Sequence, residues 1–186
     1  KLMKKMGEWL SQKSTPPNIS GPDDLSKIFG ASAVVGGRSV TPLTAMQLST
    51  VFTCVRVLSE SMGMLPCRLY KRNGRNKEPA ENHKLHDLLY VAPIDYMTAQ
   101  EFWELLMVCL CLRGNFYAYK VYALGNVVEL LPLDPASVTP KLKDDWTVEY
   151  SVNFKKDGTK ILTQDDILHV RLFTLDGLLG LNPITY

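Results

Sequence analysis

From residue 41 onwards the hydrophobic positions change period, and the change divides the chain into a helical half and a strand half. Ser39-Val40-Thr41-Pro42 offers a capping hydroxyl at Thr41 and a proline for the first helical position. Leu48, Val51, Phe52, Val55, Leu58 and Met62 then recur at helical spacing. They predict one buried helix of about twenty residues that stops near Gly63, before Pro66. Cys67-Arg68-Leu69-Tyr70-Lys71-Arg72 alternates as a half-buried strand does, and Asn73-Gly74 is a strong hairpin signal. Residues 83–89 read as a short helix that breaks before Pro93. Thr98-Ala99-Gln100-Glu101 matches the capping box, in which the Thr hydroxyl and the Glu carboxylate each satisfy a free N–H at a helix start. Phe102, Leu105, Leu106, Cys109, Leu110 and Leu112 carry a wide apolar face to Arg113, and Gly114-Asn115 ends it.

Beyond Gly114 the period falls from 3.6 towards two. Residues 116–122, 127–131, 138–142, 147–154 and 167–172 read as strands, separated by turns at Gly125-Asn126, Asp134-Pro135, Lys143-Asp144-Asp145 and Asp157-Gly158. Connections this short favour antiparallel pairing, because a parallel crossover needs a dozen or more residues. The expected fold class is therefore α+β, with N-terminal helices packed on an antiparallel β-meander.

The 186 residues, 46% hydrophobic and 22% charged, suit one globular domain with a tail. The tail is residues 1–40. It begins with a short basic amphipathic stretch (Leu2, Met6, Trp9, Leu10) and continues with breakers such as Pro16-Pro17, Gly21-Pro22 and Gly36-Gly37. It holds six Lys/Arg against three Asp/Glu, whereas residues 41–186 hold fifteen against sixteen. A net charge of +2 is too balanced for a dedicated DNA-binding surface. The longest apolar run, residues 105–112, falls well short of the roughly 18 residues of a membrane-spanning helix. Cys54, Cys67, Cys109 and Cys111 form no CxxC pair and read as buried free thiols.

Catalytic constellations are sparse. There is no GxSxG elbow, phosphate-binding loop, HExxH or GxGxxG after a strand. The pairs Asp23-Asp24, Asp144-Asp145 and Asp165-Asp166 sit at turns, and His83 and His86 lack a third ligand at a metal-site spacing. His169 shares a strand face with Ile167 and Arg171, as a hydrogen-bonded structural histidine does. No cofactor is implied. At the C-terminus Asn182 and Pro183 form a helix start, with Asn182 as N-cap, only three residues before Tyr186. A helix cannot nucleate in so few residues, so residues 181–186 are expected to open a helix that belongs to a longer chain.

Three stretches, in this order, resemble the portal proteins of tailed bacteriophages, in the family typical of long-tailed phages. The first is Val51-Phe52-Thr53-Cys54-Val55-Arg56-Val57-Leu58-Ser59-Glu60-Ser61 leading to Leu65-Pro66. The second is Leu131-Pro132-Leu133-Asp134-Pro135, with Val138 following. The third is Asp166-Ile167-Leu168-His169-Val170 leading to Asp176-Gly177-Leu178-Leu179-Gly180-Leu181-Asn182-Pro183-Ile184, with Asn182 where Ser is common in the family. The resemblance implies a non-enzymatic subunit of a ring, usually dodecameric, at one capsid vertex of the virion, assembled in the host cytoplasm. Double-stranded DNA passes through that ring during packaging and ejection. The implied partners are further copies of the chain, the major capsid protein, the terminase that hydrolyses ATP, and a head–tail connector protein, with no membrane. Residues 41–180 correspond to the outer wing domain, residues 1–40 to an arm that finds order on a partner, and residues 181–186 to the start of a stem helix.

Two readings from other classes compete. One is a nucleic-acid-binding module using Arg68, Lys71, Arg72, Arg75 and Lys77 on the predicted hairpin. The other is a small hydrolase with His169 as general base. His169, Asn182, Pro183, Arg68, Lys71 and Arg72 are the candidate structural or interface positions.

Overall fold

The computed structural model describes residues 33–35, 38–155 and 157–184. The amphipathic stretch at residues 2–10, most of the tail and Asp23-Asp24 lie outside the described residues. Within the tail, β1 (Ala33–Val35) and β2 (Arg38–Val40) pair antiparallel, Ala33 opposite Val40.

The predicted twenty-residue helix is two helices. Thr41 caps α1 (Pro42–Met46) through a reciprocal pair with Thr44, and the chain leaves helical geometry at Leu48 before α2 (Ser49–Gly63) begins. Nor is α2 buried on the predicted face. Val55 and Ser59 point inward, while Phe52 and Leu58 are about half exposed, because α2 leans on a single helix along one narrow i, i+4 ridge. That partner is α4 (Ala99–Arg113), which starts at the predicted capping box: Thr98 Oγ1 accepts from Glu101 N and the Glu101 carboxylate accepts from Thr98 N. Between them, β3 (Tyr70–Asn73) and β4 (Asn76–Pro79) form a hairpin that is exposed throughout rather than half-buried, and α3 (Lys84–Tyr90) follows. Gly74, at φ 61°, is the first of the two loop residues, so the turn centres on Gly74-Arg75, one residue later than predicted.

The strand half is two sheets rather than one meander. β5 (Asn115–Ala123) pairs with β6 (Asn126–Leu133) on one side and with β10 (Ile167–Arg171) on the other, so the last strand returns to the first. β7 (Val138–Leu142), β8 (Val148–Phe154) and the unpredicted β9 (Gly158–Leu162) form a second antiparallel sheet. Both faces of β5 are covered. Phe116 and Ala118 join Phe102, Leu106, Cys109 and Leu110 of α4 and Leu88 of α3 in one core. Tyr117, on the opposite face, joins Val138, Tyr150, Val152 and Ile167 in a second. The α+β class holds, as helices, a central sheet and a second sheet in successive layers.

Candidate functional site

The resemblance motifs each fall at a junction between elements. Val55 and Ser59, from the first, form the ridge of α2 that packs on α4. Asp134, from the second, caps the single 3-10 turn Pro135–Ser137 that carries the chain from one sheet to the other. Its carboxylate accepts from Ala136 N at 2.9 Å. The third motif builds a polar site where α4 ends and the segment after β10 docks.

Gly114 stops α4 in the left-handed region, at φ 74°. A side chain there would overlap the Leu181 carbonyl oxygen and lie 2.6 Å from its carbon. Facing it, a Cβ on Gly180 would overlap the Gly114 oxygen and come within 3.0 Å of Leu172 N. Two glycines at this crossing let the backbones touch, and Leu172 N donates to Gly114 O at 2.8 Å. Asn115, buried at the start of β5, then reads the docked segment with its amide. Nδ2 donates to Gly180 O at 3.0 Å and to Arg113 O at 3.2 Å, and Oδ1 accepts from Gly180 N at 2.8 Å.

His169 completes the seat. Its Nε2 lies 3.2 Å from Asn115 Oδ1 and its Nδ1 lies 3.2 Å from the Tyr150 hydroxyl. Because Asn115 Nδ2 faces two carbonyls, Oδ1 is an acceptor, so His169 Nε2 carries the proton and Nδ1 accepts from Tyr150. The ring stacks on Tyr117, with centroids 4.3 Å apart, and meets Tyr150 edge-on. Burial, with the Arg171 charge second, pulls the imidazole from 6.5 down to about 4. The group therefore stays neutral in the folded chain while the unfolded chain binds a proton below 6.5, so stability falls as pH drops from 6.5 towards 4. We expect the thermal midpoint to fall over that window, and H169Q to flatten that part of the profile. An unchanged profile in H169Q would show that other groups carry it.

The docked loop is stiffened from within. The Asp176 carboxylate accepts from Leu178 N, Leu179 N and Thr174 Oγ1, and these bonds hold it below the usual carboxylate range. Arg171 Nη1 donates to Gly177 O, and Thr174 pairs with Gly180. Phe173 and Leu175 stay exposed on this loop. At its end Asn182 Oδ1 accepts from Ile184 N at 3.0 Å, closing a turn across Pro183.

Of the candidate positions, His169 lies on β10 and Asn182 and Pro183 lie at the end of the docked segment that follows it, whereas Arg68, Lys71 and Arg72 lie on or beside the separate hairpin. Asn115, Tyr117 and Tyr150 were not singled out by the sequence. Asn115 reads there only as a helix stop, although its partnership with Gly114 is the signal that places it. His83 caps α3 by accepting from Leu85 N, and His86 contacts Asp87 and the Tyr90 ring; no cluster of metal-ligating side chains occurs among the described residues. Of the cysteines only Cys109 is buried, which pushes its thiol up to about 12, with Asp134 adding to the effect; Cys54 is exposed, because it lies off the α2 ridge. Among the described residues no helix is long and apolar enough to cross a membrane.

Residues 49–186 match the phage portal protein family. The chain is 51% identical over 130 residues to the protein BeeE of Escherichia coli K12, covering 69% of this chain and 83% of BeeE. It is 33% identical over 160 residues to the portal protein of Enterobacteria phage HK97, covering 84% of this chain and 37% of that protein. The fold resembles a chain in the neck of an empty gene transfer agent particle computed with C6 symmetry. The TM-score is 0.62 at 23% identity, covering 76% of this chain and 38% of that one. The chain therefore spans well under half of the HK97 portal protein that it matches. The family match covers the ridge, the sheet-to-sheet turn and the glycine seat alike, and the chain belongs to the phage portal protein family.

Proposed function

We propose that this chain is a structural subunit of a portal ring at one capsid vertex, forming the wing of a channel through which double-stranded DNA is packaged and ejected. The observation that carries the reading is that the described residues of the matched stretch, 49–155 and 157–184, form the layered unit and its seat. The convergent polar groups of that seat are spent on backbone amides and carbonyls and on one another, as suits a mechanical joint. The seat holds the segment that ends in the Asn182–Ile184 turn, so it sets the direction in which a stem helix leaves the wing. Outside the β3–β4 hairpin the body holds eleven Lys/Arg against fifteen Asp/Glu, which fits a conduit, because each phosphate neutralised by a channel wall adds affinity that a sliding duplex must break. Further copies of the chain, the major capsid protein, the terminase and the head–tail connector protein are the partners of this reading, with ATP hydrolysis left to the terminase. Residues 1–40 act as an arm ordered by a neighbour.

Negative-stain images of the purified protein are expected to show rings with a central hole. A compact monomer at every concentration tested would overturn the reading.

A further inference from the structure

The β3–β4 hairpin concentrates charge that the rest of the body lacks. Residues 41–186 hold fifteen Lys/Arg against sixteen Asp/Glu, yet residues 70–79 hold four against one. The register sorts these charges by face. Lys71 lies opposite Glu78, and Asn73, on the same face, donates from Nδ2 to Glu78 Oε1 at 3.3 Å. That face is compensated. On the other, Arg72 lies directly opposite Lys77, flanked by Tyr70, with Arg75 at the turn.

Like charges placed directly across a ladder repel. No carboxylate pairs with Arg72, Arg75 or Lys77 among the described residues, and all eight strand residues are exposed. Arg72 Nε donates to Gly74 O at 3.2 Å, which ties the guanidinium to the turn. Charge on an exposed hairpin also discourages edge-to-edge aggregation, but that purpose is met by the Lys71 and Glu78 face and does not require two cations to confront each other.

We infer that the Tyr70, Arg72, Arg75 and Lys77 face binds the phosphate backbone of duplex DNA. Phosphate oxygens take donors of these kinds, Arg, Lys and Tyr, without reading sequence. A spread row of cations on a narrow ribbon matches a repeating anion better than it matches a protein, because the Tyr70–Pro79 pair is little apolar area for the centre that a stable protein contact needs. The inference does not depend on the ring.

The test measures binding of the full 186-residue chain to a labelled duplex by fluorescence anisotropy across a salt series. The triple variant R72Q/R75Q/K77Q is compared with K71Q, which removes a charge from the compensated face. The triple variant is expected to bind more weakly and to flatten the slope of log affinity against log salt by about 2 to 3, near 0.9 for each phosphate no longer neutralised. K71Q should leave the slope unchanged. Unaltered thermal midpoints are expected for both, since every position is exposed. A triple variant that keeps the parent slope overturns the inference, as does absence of binding at low salt. Polyglutamate displacing the duplex at equal charge concentration would assign the face to an acidic protein instead. Rings seen without a slope change would sink this inference alone, and a slope change in a monomer would sink only the ring.

Discussion

Replacing Gly114 by alanine is expected to unseat the segment after β10 and to be among the most damaging single substitutions in the chain. Two costs combine. A residue with a Cβ held at φ 74° carries a penalty of about 1 to 2 kcal/mol. The new carbon would also lie 2.6 Å from the Leu181 carbonyl carbon and 2.9 Å from Gly180 O, both backbone atoms that cannot swing away. Relief requires the two backbones to part, which breaks the Leu172-to-Gly114 bond and pulls Gly180 off Asn115. The total should exceed about 4 kcal/mol, in the range reserved for overpacking joined to the breaking of buried hydrogen bonds. Two further alanines separate the two costs. G74A meets φ 61° with nothing within 4 Å, so it should show the conformational cost alone. G180A has no positive-φ penalty but overlaps Gly114 O, so it should show the steric cost. Thermal melts combined with limited proteolysis would test this. The expected outcome is a large fall for G114A and G180A, with new cleavage between Arg171 and Leu181, and a small fall for G74A. If all three variants behave alike, close backbone approach is not what holds the seat.

Asn115→Leu should be nearly as severe for a different reason. The leucine fills similar space but strands Gly180 N–H, Gly180 C=O and the His169 Nε2 proton inside a buried site. Each buried polar group left unpaired costs about 1 to 3 kcal/mol, and partial relaxation holds the sum to roughly 3 to 5. For a chain of this size that corresponds to a thermal midpoint lower by about 6 to 20 °C. N115D isolates the donor half. It keeps an acceptor for Gly180 N and His169 but sets a carboxylate against the Arg113 and Gly180 carbonyls. It should be destabilised at neutral pH and should recover, relative to the parent, as acid protonates the new carboxyl and restores a donor. A loss below about 1 kcal/mol in N115L would show that water replaces the amide and that the seat is not a closed network.

These two substitutions also show where the sequence was readable. Gly114 could be recognised as a helix stop from the end of the apolar face at Arg113, because left-handed caps are a local matter of one residue's φ. That the glycine's neighbour Asn115 anchors a docking site 65 positions away, at Gly180, could not be read, since only the return of β10 to β5 brings the two together. His169 was likewise legible as a hydrogen-bonded strand histidine. Its tautomer depends on how Asn115 is turned, and therefore on a partner from a different strand.

What the chain determined by itself is local: the cap at Thr41 and the capping box at Thr98, the short helix after His83, the strand periods beyond Gly114 and the hairpin at Gly74. Each is an exchange between residues a few positions apart, so pattern and propensity suffice. The α+β class followed, because short connections leave antiparallel pairing as the only option. The tertiary structure decided the rest. It broke the long first helix at Leu48 and left Phe52 and Leu58 half exposed, since burial depends on what stands opposite a face and not on the face's own spacing. It divided the expected meander into two sheets with β5 buried between layers, and by that division gathered Gly114, Asn115, Tyr150, His169 and Gly180 into one seat.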